Sequence, residues 1–300
     1  MALVLVIGAV ALDRPIRLDR PVRSGGRARG VSQGRMLGGR LGGSGSNAGC
    51  ALRSAGHQVL VASSLSDDAD GLEARRLAEA AGLDLRFTSL RPGASSRTLI
   101  FIDPGGERTI IGLDEPAQGG PSPIAAPSAW PDVRPDGLFI RAAYGGAADW
   151  AQATQGPVVL HWPTRAYNGQ ADVVVASADD LEASALTYEA ARARLGPRLQ
   201  WLVVTHGAAG AVAHGPANAI TVAGQPRTMR DATGAGDIFA AGLLDALLAG
   251  APIQRALEHA CAWGGAAVEL EGSAPVDAPP HTFGRFVERP PDRQASMSRE

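Results

Sequence analysis

The sequence predicts an α/β protein built on a doubly wound, mainly parallel sheet, with a smaller β-sheet standing apart from it. Three observations carry that prediction. Short runs rich in Val, Leu and Ile recur at residues 3–10, 58–62, 137–140, 157–160, 171–176 and 201–205, and they hardly alternate, as strands buried on both faces do. Strand–helix alternation at this spacing implies right-handed parallel crossovers. Finally, the glycine loop Asp231-Ala232-Thr233-Gly234-Ala235-Gly236-Asp237 runs straight into an apolar helix, an arrangement that aims unpaired N–H groups and the positive end of a helix dipole at an anion.

Taken in order, residues 3–10 read as a buried central strand. A signal-peptide core is disfavoured because no basic segment precedes it and no convincing small-residue cleavage site follows. Asp13 falls at the carboxyl end of that strand, the edge at which open α/β sheets bind ligands; as bare sequence it is equally a turn carboxylate. Residues 14–36 are rich in Arg and Gly and alternate weakly, which predicts an exposed β-ribbon paired with 97–102 and 108–112 around the turn Asp103-Pro104-Gly105-Gly106. The glycine-rich run 38–47 opens a helix over 48–55. A strand at 58–62, a helix over 68–81 and a strand at 84–88 follow, with Leu72, Leu77, Ala80 and Ala81 expected on the inner face of that helix. Residues 116–135 are proline-rich and polar, a surface loop. Residues 211–214 and 219–222 form an antiparallel edge, and a helix over 253–268 packs beside the one that carries Asp237. The Pro-, Arg- and Asp-rich chain after Pro275 is expected to fray. One domain, 1–280, with a flexible tail, 281–300, is the predicted organisation.

Composition narrows the function classes. With 28 basic against 30 acidic residues, the charge balance offers no electrostatic case for nucleic acid or a membrane surface, and no apolar run approaches the ~20 residues of a membrane span. Cys50 and Cys261 fall in predicted helices and read as inert core thiols of a cytoplasmic protein. The chain has no lysine. That removes a Gly-Lys-Ser/Thr phosphate loop and Schiff-base chemistry.

Asp237 stands at the mouth of the glycine loop, where a carboxylate can take a proton from an incoming hydroxyl or simply cap the helix. The seven residues 231–237 resemble the signature D-T-x-G-A-G-D of the ribokinase-like sugar kinases (phosphofructokinase B type), from which only Ala232 departs. Gly42, Gly43 and Asn47 resemble that family's G-G-x-x-x-N, with Ser44 where many members carry lysine. Thr205, Gly207 and Gly210 resemble its T-x-G-x-x-G. The resemblance spans roughly residues 1–275 and weakens in two places. Residues 160–165 keep only Arg165 of D-x-N-x-R, and Ser177-Ala178-Asp179-Asp180 stands where the family has N-x-x-E. His161 at the first of these is open between a satisfied strand-end polar group and a substrate contact.

The resemblance implies an ATP-dependent carbohydrate kinase with Mg2+, and K+ as a possible activator. It implies Asp237 as catalytic base and Gly234, Ala235 and Gly236 as the anion hole. Asp13, Gly42, Gly43, Asn47 and Arg165 would bind the sugar, and Thr205, Gly207, Gly210 and His259 the nucleotide. Asp180 would organise magnesium, while Asp231 and Thr233 would hold the monovalent cation. The ribbons 14–36 and 97–112 become a lid over the sugar, through which two copies could pair as a homodimer. Two other functions stay open: a nucleoside kinase of the same fold, disfavoured by an aromatic content of only 5%, and a non-catalytic sugar or nucleotide sensor, favoured by the altered segments.

Overall fold

The computed structural model describes residues 1–31, 39–113, 123–162, 167–184, 186–279 and 281–288. Chain order begins with β1 (Leu3–Ile7), β2 (Ala11–Leu18), β3 (Gly30–Val31), β4 (Arg40–Gly42), α1 (Ser44–Ser54), β5 (Gln58–Ala62), β6 (Ser64–Ser66), α2 (Ala69–Ala80) and β7 (Ser89–Arg91). It continues with β8 (Arg97–Ile102), β9 (Arg108–Leu113), β10 (Gly137–Ile140), α3 (Ala147–Ala153), β11 (Val158–His161), β12 (Val173–Ser177), α4 (Ala178–Ser184) and α5 (Tyr188–Leu195). The last elements are β13 (Trp201–Thr205), β14 (Gly210–His214), β15 (Ala219–Ala223), α6 (Ala235–Leu248) and α7 (Ile253–Ala267).

Eight strands form the main sheet in the order β15-β14-β13-β12-β11-β10-β1-β5. The six from β13 to β5 are parallel, and the β14–β15 hairpin closes one edge antiparallel. Alternate residues of each strand enter opposite layers. Val4, Val6, Val61, Phe139, Val159 and Val175 pack with α1, α6 and α7 in one core, while Leu5, Ile7, Leu138, Ile140, Leu160 and Val174 pack with α3 and α5 in the other. The fold is therefore α/β with helices on both faces, as predicted. The chain leaves β1 for β5 on one side and returns to β10 on the other. Such a reversal opens a crevice at the carboxyl ends of the strands.

A second sheet, ordered β3-β2-β8-β9 with β4 also on β2, stands apart from the first. It realises the predicted ribbon, with one refinement: β2 pairs β8 parallel, and only β9 returns antiparallel. Residues 32–36 of the expected lid lie outside the described residues. Among the described residues no helix is long and apolar enough to cross a membrane.

Several expectations need correction. Residues 84–88 form no strand; a single bridge, Leu60 to Asp84, is all that pairs there. Helix α1 starts at Ser44 rather than 48, because the Gly45 N–H donates to Ala9 O and Ser44 Oγ accepts from Ala9 N–H. The buried face of α2 is Gly71, Ala74 and Ala78, with Leu77 and Ala81 partly buried against the core as expected, while Ala80 is exposed and Leu72 is 49% exposed. A Cβ on Gly71 would meet the Ser66 carbonyl, so only small residues fit that contact. Part of the expected tail is packed. Phe283 is fully buried against the Trp263 ring, and the Trp263 indole N–H donates to Gly284 O. Residues 289–300 of the expected tail lie outside the described residues.

Candidate active site

The site is assembled at the carboxyl edge of the sheet from segments far apart in the chain. Asp237 lies in the first turn of α6, whose cap is Gly234 at φ 80°, ψ −5°. This left-handed conformation suits glycine, and a Cβ there would also come 2.8 Å from Asn47 Nδ2. No side chain caps α6. The Ala235 N–H turns back to Ala232 O at 3.3 Å, which corrects its expected place in the anion hole. The N–H groups of Gly234, Gly236 and Asp237 take no partner among the described residues and remain for an anion.

The Asp237 carboxylate is gripped from both sides. Asn47 Nδ2, on α1, donates to Oδ2 at 2.9 Å, and His161 Nδ1, at the end of β11, lies 2.9 Å from Oδ1. Arg141 follows β10 directly; its Nε is 3.8 Å from Asp237 Oδ1, and its Nη1 donates to the His161 carbonyl at 3.3 Å. Burial works to raise the Asp237 carboxyl, but the His161 hydrogen bond, the charge of Arg141 and the Asn47 amide hold it below its ordinary value. Burial and the Arg141 charge push the His161 imidazole down, so the ring is neutral and donates through Nδ1. The Asp237 carboxylate is thereby favoured in its ionised form.

Across the pocket, Asp13 belongs to β2 of the second sheet rather than to a turn. It is 5% exposed, and Ser273 Oγ donates to its Oδ2 at 2.5 Å. Burial raises its carboxyl, against the opposing Ser273 bond and Arg40 charge. Strand β4 runs beside it, and a Cβ on Gly42 would fall 2.0 Å from Asp13 Oδ2, so Gly42 is the space the carboxylate occupies. Gly43 caps α1 at φ 85°. Asp13, Gly42, Gly43, Asn47, Gly234, Gly236 and Asp237 are thus brought together as the sequence implied.

Other expected residues fall differently. Asp231 is 1% exposed, and both its oxygens are taken: Oδ1 accepts the Thr233 N–H at 2.9 Å, and Oδ2 accepts Arg40 Nη2 at 2.7 Å. The Arg40 guanidinium already neutralises this carboxylate, which weakens its attraction for a potassium ion. Asp180 lies in the first turn of α4, where its N–H is held by Ser177 Oγ at 3.1 Å. Its carboxylate takes no hydrogen bond among the described residues, and no group of three or more His, Cys, Asp or Glu residues among them could hold a metal ion. Thr205 ends β13, Gly207 lies in the exposed turn after it, and Gly210 opens β14 at φ 105°. Arg165 lies outside the described residues. His259 turns to Asp245 at 2.9 Å. The other Asp245 oxygen is 2.7 Å from His57 Nε2, whose ring accepts the Ala2 N–H at the amino edge of the sheet. That corrects its expected nucleotide role.

Sequence reasoning missed Arg40, Arg141 and Ser273. Arg141 carried a usable signal, since it is the first residue beyond a buried parallel strand. Arg40 and Ser273 carried none. The second sheet also touches the glycine loop: the Ala232 N–H donates to Gly106 O at 3.3 Å, and Arg108 Nη1 donates to Ala232 O at 2.9 Å.

A donor-rich helix end beside an ionised, buried carboxylate is what transfer of a phosphoryl group to a hydroxyl requires, and it places the protein among small-molecule kinases. The model of the pfkB family carbohydrate kinases matches residues 161–279. The ATP-dependent ribose-1-phosphate kinase of Halopiger xanaduensis is 32% identical over 298 residues, covering 92% of this chain and 96% of that protein. A putative ribokinase from Agrobacterium tumefaciens superposes with a TM-score of 0.76 at 20% identity, covering 91% of this chain and 93% of that one. A Burkholderia thailandensis nucleoside kinase in complex with inosine gives 0.69 at 16% identity, with 93% and 95% covered. The last two likenesses speak for the fold. The chain belongs to the pfkB family of carbohydrate kinases. By that membership it is a carbohydrate kinase.

Proposed function

We propose that the protein transfers the γ-phosphoryl group of ATP to a hydroxyl of a ribosyl sugar, with Asp237 as general base. The observation that carries this reading is the Asp237 carboxylate, buried yet held ionised between Asn47 and His161 beside the unpaired N–H groups of α6. The acceptor hydroxyl is oriented by Asp13 and deprotonated by Asp237 as it attacks in line. Charge developing on the transferred group is met by the amides of Gly234, Gly236 and Asp237. Magnesium would be held by the phosphates and, through water, by Asp180; it would supply further charge neutralisation. The second sheet excludes water, acting as a lid. Asp231, bound by Arg40, braces the glycine loop, and no step needs a monovalent cation.

A phosphorylated pentose is the first acceptor to try. The relative from Halopiger xanaduensis is named for ribose 1-phosphate, and the Arg141 guanidinium at the site suits an anionic sugar better than a neutral nucleoside. The reading extends to a cytoplasmic homodimer. Strand β9 is the edge of the second sheet, and Ile110, Ile111 and Leu113 on it are exposed, a surface that edge-to-edge pairing would cover.

The test is Asp237→Asn. General-base catalysis contributes ~10² to 10⁴-fold, so kcat should fall by at least about 10² while the KM values for ATP and sugar hold. Asparagine keeps the shape of the turn, and the melting temperature should hold too. Turnover that survives this substitution would remove Asp237 as base. A wild type that binds a sugar but never turns over ATP would point to the sensor.

A further inference from the structure

We propose that His161 is the positioning residue of Asp237, its neutral imidazole donating through Nδ1 to fix one carboxylate oxygen while Asn47 fixes the other. This rests on the reading of Asp237 as base and goes beyond it. An ionised carboxylate accepts about four hydrogen bonds. With Oδ1 bound by His161 and Oδ2 by Asn47, each at 2.9 Å, the plane of the group is set and its remaining lone pairs are left for the acceptor hydroxyl.

The ring is itself locked. His161 pairs with Val175 across the β11–β12 ladder. Phe139 stands edge-on to the imidazole, with centroids 6.4 Å apart at 68°. The side chains of His161 and Asp237 are 10% and 12% exposed, so water competes little for the bond.

Gly236 supplies an independent observation. A Cβ built there would lie 3.3 Å from His161 Cε1 and 3.5 Å from Nε2. Its backbone φ is not in the left-handed region, so conformational freedom does not explain the glycine. Gly236 admits the imidazole to the base. A glycine of the anion loop and a histidine 75 residues earlier in the chain therefore act as one contact.

The experiment measures kcat, both KM values and melting temperature for His161→Ala, His161→Asn, Gly236→Ala, the double variant His161→Ala/Gly236→Ala, and Asp237→Asn as reference. Loosening a reacting group by about 1 Å costs ~10²-fold. His161→Ala should therefore lower kcat by about 10- to 100-fold with both KM values little changed. The asparagine amide nitrogen occupies the place of the imidazole Nδ1, so His161→Asn should recover most of the loss. Gly236→Ala keeps the loop amide but crowds the ring; it should lower kcat in the native background and have little further effect once His161 is alanine. Retention of kcat in folded His161→Ala while Asp237→Asn is inactive would overturn the proposal and leave the base intact. His161→Asn as slow as His161→Ala would also overturn it, because the ring rather than the donor would then matter. Activity retained in Asp237→Asn would instead defeat the reading on which the proposal rests.

Discussion

Asp245 gives a prediction that separates scaffold from site. It is 1% exposed in its side chain. It accepts from three donors contributed by distant segments: His57 Nε2 at 2.7 Å, His259 Nε2 at 2.9 Å and the Phe286 N–H at 2.6 Å. His57 Nδ1 accepts the Ala2 N–H, which commits the neutral ring to donating through Nε2. Burial acts to raise this carboxyl, but the His259 and His57 bonds and the Phe286 amide outweigh it and drive it far below the ordinary range. Asp245→Ala strands all three donors. Three buried donors left without an acceptor, at about 1–3 kcal/mol each and partly relieved by rearrangement, cost about 3–5 kcal/mol together. At roughly 2 °C per kcal/mol for a chain of this size, the melting temperature should fall by about 6 to 10 °C. Asp245→Asn keeps one acceptor and should lose less, about 1–3 kcal/mol. The sign with pH follows from the depressed folded value. The contribution is complete above the unfolded carboxyl value of about 3.9 and is lost as pH falls through the folded one, so the gap between wild type and Asp245→Ala should narrow in acid. Thermal melts from neutral pH into acid read both effects, and hydrogen exchange should show residues 281–288 opening first. The KM for ATP should hold, since this cluster lies at the amino edge of the sheet. A melting temperature that does not move, or a raised ATP KM with unchanged stability, would refute the argument and return His259 to the nucleotide.

Two further outcomes are expected. Rates should be equal in sodium, potassium and choline salts because Arg40 already occupies Asp231. Arg40→Ala, which leaves that buried carboxylate uncompensated at about 3–5 kcal/mol, should become potassium-dependent, and a wild type activated by potassium alone would refute the point. Ile110→Lys places a charge on the β9 edge and should yield a monomer by light scattering, with stability changed by no more than about 0.5 kcal/mol; a wild type already monomeric would end the dimer reading.

The fold was legible where burial leaves little choice. The strands at 58–62, 137–140 and 201–205 match their predicted bounds residue for residue, because a run such as Gly-Leu-Phe-Ile buried on both faces has no competing amphipathic pattern. On α2 periodicity placed Leu77 and Ala81 against the core but failed at Leu72, where the neighbouring Ser66 backbone admits only small residues and Leu72 faces outward. Composition failed at the carboxyl end: a Pro- and Arg-rich stretch reads as polar, yet Phe283 and Phe286 in it meet the rings of Trp263 and His259. The site was legible wherever it is local, as in residues 231–237. Contacts between segments, such as Arg40 with Asp231 or Ser273 with Asp13, leave no trace in spacing.

The glycines of the two site loops show how such contacts can still be inferred. In sequence Gly42 and Gly236 are placed by the resemblance at the sugar pocket and the anion hole, where a bare backbone can approach a ligand. In the structure neither has a positive φ. Gly42 is vacant volume filled by the Asp13 carboxylate, and Gly236 is vacant volume facing the His161 ring. Each therefore records a side chain from another segment that must approach the backbone closely, and each of those side chains belongs to the pocket. By contrast Gly234 and Gly43 are glycines by conformation, at φ 80° and 85°. One loop thus holds glycines of both kinds, and they respond differently to alanine. A Cβ at Gly234 strains the backbone whatever surrounds it, whereas a Cβ at Gly236 is tolerated once its neighbour is shortened.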